Sequence, residues 1–201
     1  MAAPAYEQPF DPLVDLDGMW APELAERYLP IEGAPPVRYE AVNGKLVMSP
    51  REGSANSWAT TRLIIKLDPP VRAAGHALYS SLNVLLTPKT WIEPDLVVLR
   101  EPVVDLTWVP AEHVLMPVEF VSPSSRRRDR IDKPALAAQA GIPFYLRVEI
   151  SRRTDAAEIH LFQLDGGRYR AVAAALAGET FSADRPFELS FDPGDLLEPG
   201  P

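Results

Sequence analysis

Leu115-Met116-Pro117-Val118-Glu119-Phe120-Val121 reads as a β-strand with one residue out of place. The apolar run is nearly continuous, which is the pattern of a strand covered on both faces. Glu119 sits inside it. A carboxylate in such a strand must be paired, hydrogen-bonded or bound to a cation. A second run, Asp95-Leu96-Val97-Val98-Leu99, has the same character, and Asp95 opens it behind Glu93-Pro94. If the two strands are neighbours, both carboxylates point at one ion. Mg²⁺ prefers oxygen ligands and keeps several waters, so two carboxylates and a backbone carbonyl suffice for it. Taken singly, each acid also fits a plainer reading, as an edge-strand acid facing water or a loop cap.

Outward from Glu119 the chain turns polar. Ser122-Pro123-Ser124-Ser125 leaves the strand, Arg126-Arg127-Arg128-Asp129-Arg130 follows, and Asp132-Lys133-Pro134 opens a helix expected over 132–140. Gly141 and Pro143 stop it. A lysine at this helix start can reach back over the strand ends, where its charge would stabilise a phosphate anion or position an attacking water. The arginine strip could hold phosphates. The competing readings are a solvated lysine and a solvated loop.

The other elements frame these. A short helix is expected over 22–29 behind Pro22. Residues 37–48 form a hairpin around Asn43-Gly44, a pair suited to a type I′ turn because both positions need positive φ. A helix over 54–67 should break or kink at Asp68-Pro69-Pro70. Strands are expected over 77–87, 95–100, 115–121, 144–150, 157–164 and 168–174, with short edge strands in 178–197. Residues 1–19 read as a flexible arm and 20–201 as one domain. The fold class is α/β: a mixed sheet with helices packed on it.

Composition sets the outer limits. The 201 residues suit a single domain. With no cysteine, disulfides, thiolate metal sites and thiol nucleophiles are excluded. No apolar run approaches a membrane span, and the N-terminus has no signal-peptide core, so a cytoplasmic protein away from the membrane is expected. The net charge of −8 argues against broad, non-specific nucleic-acid binding. His76, His113 and His160 are scattered and lack zinc-ligand spacing. Ser122, Ser124 and Ser125 have no nucleophile elbow around them. Trp91, Trp108 and Phe144 could stack bases but are read as core.

The ordered set of Tyr39-Glu40, Asn43-Gly44-Lys45-Leu46, Met48-Ser49-Pro50, Pro94-Asp95-Leu96-Val97-Val98, Val118-Glu119-Phe120-Val121-Ser122-Pro123-Ser124-Ser125, Arg128-Asp129-Arg130, Lys133, Ala140-Gly141-Ile142-Pro143 and Asp165-Gly166-Gly167-Arg168-Tyr169 resembles the bacterial putative restriction endonuclease family, within the PD-(D/E)xK nuclease superfamily. The resemblance covers roughly residues 20–197. It implies a restriction-endonuclease-like core. It implies Asp95 as the motif's Asp, Glu119 as its second acid, Glu40 as a further acid, and the Phe120 carbonyl as a metal ligand. The usual motif lysine stands two residues after the acid, where this chain has Val121. The resemblance moves it to Lys133 in the following helix. Asn56 stands where the family often has a histidine, and Ala137 where it often has a tyrosine.

Two functions follow as expectations. The first is a Mg²⁺- or Mn²⁺-dependent endonuclease acting on DNA, with Glu40, Asp95, Glu119 and Lys133 catalytic and Arg126, Arg127, Arg128 and Arg130 on the DNA backbone. Cleavage of both strands would need two copies, so a homodimer is expected. The second is a non-catalytic binding or interaction module that keeps the nuclease fold.

Overall fold

A computed structural model describes residues 10–122, 125–151 and 153–199. Residues 1–9 of the expected arm, Pro123 and Ser124 of the strand exit, and Arg152 lie outside the described residues. Residues 10–19 depart from a loose arm. Pro12–Asp15 (α1) is one helical turn capped by Asp11, and Leu16 and Trp20 are buried.

After Pro22–Tyr28 (α2), the chain forms the hairpin Val37–Val42 (β1) and Lys45–Pro50 (β2). Asn43 and Gly44 have φ of 52° and 78°, the left-handed values that a type I′ turn requires. Ser54–Ala73 (α3) follows, then Ala77–Ser80 (β3), Asn83–Thr87 (β4), Thr90–Ile92 (β5), Leu96–Leu99 (β6), Trp108–Pro110 (β7) and Val114–Val121 (β8). A π-helical turn, Arg128–Asp132, leads into Lys133–Gln139 (α4). Phe144–Ser151 (β9), Ala156–Asp165 (β10) and Arg168–Leu176 (β11) complete the main sheet, and Phe181–Ala183 (β12) and Leu189–Phe191 (β13) pair beside it.

The main sheet runs β11-β10-β9-β8-β6-β3. Only its β8–β9 pairing is parallel. A parallel pair needs a crossover, and the π turn with α4 supplies it. A second sheet runs β2-β1-β5-β4-β7. The fold is therefore mixed α/β, with mixed sheets and few helices. Every residue of β6 and β8 is buried. Leu96, Val98, Met116, Val118 and Phe120 pack with Leu63, Leu67 and Val71 of α3. Val97, Leu99 and Val114 pack with Ala137 of α4 and with Ile142 and Tyr145. Side chains alternate across a strand. Asp95 and Glu119 therefore fall on the α4 face.

Two local expectations need correction. The helix over 54–67 does not stop at Pro69-Pro70 but runs to Ala73. A proline inside a helix costs about 3 kcal/mol. Leu63, Leu67 and Val71 are fully buried, each burial being worth about 1.5–3 kcal/mol, which together is on the scale of what two prolines cost. The single strand over 77–87 is two strands in different sheets. Ser81, at φ 54°, turns the chain between them.

Candidate active site

Among the described residues, the buried charged side chains are Glu40, Asp95, Glu119, Asp129 and Lys133. All five line one cavity of about 440 Å³. Four separate pieces of chain deliver them. Leu96 pairs with Val118, so one step along the ladder sets Asp95 beside Glu119. The β1 strand brings Glu40, whose Oε1 accepts the Glu93 backbone N–H at 2.9 Å. The π turn brings Asp129, and α4 begins at Lys133.

Lys133 is the centre. Its Nζ lies 2.7 Å from Glu119 Oε1, 2.9 Å from Glu40 Oε1 and 3.7 Å from Asp129 Oδ1. The Lys133 backbone N–H donates to the Arg128 carbonyl, five residues back. That widened turn brings Asp129 over Lys133; π turns of this kind recur at functional sites. Asp95 is held from two sides. The Phe120 N–H donates to its Oδ2 at 2.7 Å, and the Arg38 guanidinium donates to Oδ1.

The charges do not balance at depth. Burial pushes the Glu119 carboxyl well above the ordinary carboxylate range; Lys133 pulls it down, while Asp95, Asp129 and Glu40 add repulsion. Asp129 is likewise pushed up by burial, against Lys133 and a hydrogen bond from Ser125. Burial would pull Lys133 down, but Glu119, Glu40 and Asp129 outweigh it and hold the ammonium above its usual range. All three shifts have one sign. Glu119 and Asp129 hold their protons more tightly than free carboxyls chiefly because burial disfavours the charged form, and Lys133 does so because three carboxylates surround it. Four buried carboxyls thus face one buried ammonium, an excess of acid.

This excess is what a divalent cation would fit. Asp95, Glu119 and the Phe120 carbonyl would offer such an ion an all-oxygen donor set. Among the described residues no group of three or more His, Cys, Asp or Glu forms a metal cage. The fit is therefore to an ion that keeps most of its waters.

The expected residues divide as follows. Glu40, Asp95, Glu119, Phe120 and Lys133 come together at the cavity, and Arg127 and Arg128 line it. Arg126 and Arg130 do not. Arg126 borders a different cavity with Glu149 and Arg153, and Arg130 is bonded to Glu149. Trp91 is fully buried and Phe144 nearly so, which removes both as base-stacking platforms. Arg38 and Asp129 were missed. Arg38 shares a strand face with Glu40 two residues on, and Asp129 stands four before Lys133. The Arg38 spacing was readable; that of Asp129 was hidden, because it stands inside the arginine run.

Comparison with known proteins adds two findings. The model of the Uma2 family, described as putative restriction endonuclease, matches residues 25–194. A crystal structure of a putative nuclease belonging to DUF820 from Anabaena variabilis ATCC 29413 superimposes with a TM-score of 0.57 at 13% identity, covering 79% of this chain and 88% of that one. At that identity the likeness concerns the fold. No curated protein matches the chain.

Proposed function

This chain belongs to the Uma2 family of putative restriction endonucleases, and from that premise we propose that it is a divalent-metal-dependent endonuclease hydrolysing phosphodiester bonds of DNA. The observation that carries the reading is the gathering of Glu40, Asp95, Glu119, Asp129 and Lys133, buried, on one open cavity. Buried ionisable groups are costly, and functional sites are where such groups cluster.

Asp95, Glu119 and the Phe120 carbonyl would hold Mg²⁺ or Mn²⁺. When bound, the ion supplies Lewis acidity, lowering the pKa of a water and neutralising phosphoryl charge. The chain's own groups do the rest. The Phe120 N–H and Arg38 fix the Asp95 carboxylate. Three carboxylates keep Lys133 charged, so its ammonium can orient the attacking water or stabilise the developing oxyanion. Glu40 would hold a bridging water or a second ion. Arg127 and Arg128 would position the DNA backbone, which sets register and not sequence preference. Hydrolysis adds water across one P–O bond and leaves a phosphomonoester and a hydroxyl. Cutting both strands would take a homodimer.

One observation favours the second reading, a non-catalytic module. Both metal-ligand acids already have cationic partners, Arg38 on Asp95 and Lys133 on Glu119. A plasmid-nicking assay separates the two. The enzyme reading expects nicking with Mn²⁺, none with chelator, and loss of ~100-fold or more in Glu119→Gln and Lys133→Ala, the scale of one positioned charge at an oxyanion. A wild type that leaves supercoiled DNA intact in Mn²⁺ and in Mg²⁺ hands the protein to the module reading.

A further inference from the structure

Beside the buried acids, the same cavity has a second wall, of which the proposed chemistry uses only the bond from Arg38 to Asp95 and a general DNA-backbone contact by Arg128. In the hairpin, Arg38 stands directly opposite Ser49. Direct cross-strand partners share a face. Arg128 comes from the π turn and donates to Ser49 Oγ. Arg38 and Ser49 thus share one face of the hairpin, and Arg128 bonds the hydroxyl. Arg38 also lies 3.5 Å from Glu52, the residue before Gly53, where α3 begins.

One donor atom of each guanidinium is left without a hydrogen-bond partner. The Nε atoms of Arg38 and Arg128 are both buried and make no hydrogen bond. Their nearest carboxylates stand at 4.0 Å, Glu93 for Arg38, and 3.7 Å, Glu40 for Arg128. A guanidinium offers five N–H donors in a fork that matches phosphate oxygens.

The start of α3 adds a third donor group. Its N-cap is Gly53, no side chain caps it, and its first turn carries no acid. A side chain added at Gly53 would meet nothing within 4 Å. Gly53 and Asn56 line the same cavity as Arg38, Ser49 and Arg128. The start of a twenty-residue helix therefore borders the space that both arginines border, and the free N–H groups of a helix start favour anions.

We propose that Arg38, Ser49, Arg128 and the uncapped start of α3 form a subsite for one internal phosphate of the DNA backbone, adjacent to the phosphate held over the buried acids. The subsite rests on the nuclease reading for its ligand. Arg38 joins the two sites, because it also bonds Asp95.

The decisive variant is Gly53→Asp. Aspartate is a better N-cap than glycine, so the variant folds and melts at or above the wild-type temperature. Its carboxylate occupies the α3 N–H groups and repels phosphate. Binding is read by fluorescence anisotropy in Ca²⁺, with a short duplex lacking terminal phosphates, at several salt concentrations. The subsite predicts that Gly53→Asp and Arg128→Gln each weaken binding on the order of tenfold, the scale of a lost charge-assisted hydrogen bond. Each should also flatten the salt slope by about one phosphate contact. A single methylphosphonate stepped along the duplex should weaken the wild type at one position where Gly53→Asp is insensitive. Gly53→Asp binding with wild-type affinity and slope overturns the subsite, as does a wild type that binds no duplex. Nicking tells the two failures apart. A wild type that nicks beside an unaffected Gly53→Asp removes the subsite alone. One that never nicks but binds in a Gly53-sensitive way removes the nuclease and keeps the subsite.

Discussion

At Lys133 three carboxylates meet one ammonium within 3.7 Å. Removing one partner of a buried ionic group costs about 3–5 kcal/mol, because the charge left behind has no water to turn to. Lys133→Met strands Glu119, Glu40 and Asp129 together, so it should destabilise the ion-free protein by about that much near neutral pH. The loss should depend on pH. Glu119 and Asp129 have folded pKa values raised by burial. Between the unfolded and the raised folded values the folded state holds more protons, so stability falls as pH rises through that window. The gap between Lys133→Met and wild type should therefore be widest at neutral pH and narrow toward pH ~5, near the unfolded carboxylate range. Denaturant melts at both pH values measure it. An equal gap at both would mean that the acids are not crowded around the lysine. At this scale, the chain's chemistry was largely legible. Glu119 and Asp95 announced themselves as acids in apolar runs. Asp129 did not, because it lies among arginines and reads as part of a solvated charge run until the turn is known to widen.

The hairpin of β1 and β2 sets two of the site's residues, Arg38 and Glu40, and its turn is clamped on both sides. The Gly44 N–H donates to the Lys89 carbonyl at 2.7 Å, and its own carbonyl accepts from the Trp20 N–H at 3.0 Å. A Cβ at Gly44 would overlap the Gly18 carbonyl, and φ is already +78°. Gly44→Ala should therefore cost roughly 2–4 kcal/mol, combining overpacking with left-handed strain. Thermal or denaturant unfolding checks it, and a cost near zero would show that the turn relaxes freely. Asn43-Gly44 was readable because turn chemistry is local. The passage of α3 through Pro69-Pro70 was not, because it depends on Leu67 and Val71 finding the sheet. The three-residue strands Thr90–Ile92 and Trp108–Pro110 were also missed, since so short a stretch has no measurable period. The π turn had no signal either.

Across the whole molecule, two sheets and the β8–α4–β9 crossover converge on one cavity, lined by six acids and five bases. The chain as a whole carries −8, and no helix among the described residues is long and apolar enough to cross a membrane. The family was legible because its motifs fall in order along nearly the entire chain. The second sheet was not, since it joins short strands far apart in sequence, among them those of Trp91 and Trp108, whose rings meet edge-on at 5.1 Å. The central claim is that the buried acid excess around Asp95 and Glu119 is held for a divalent cation. The most direct measurement is a calorimetric titration of the wild-type protein with Mn²⁺, with melting curves on the same samples. We expect one binding site per chain, a stability gain of about 2.7 kcal/mol at a hundredfold excess over the dissociation constant, and loss of both in Asp95→Asn and Glu119→Gln. No heat and no melting shift at millimolar Mn²⁺ would contradict the account.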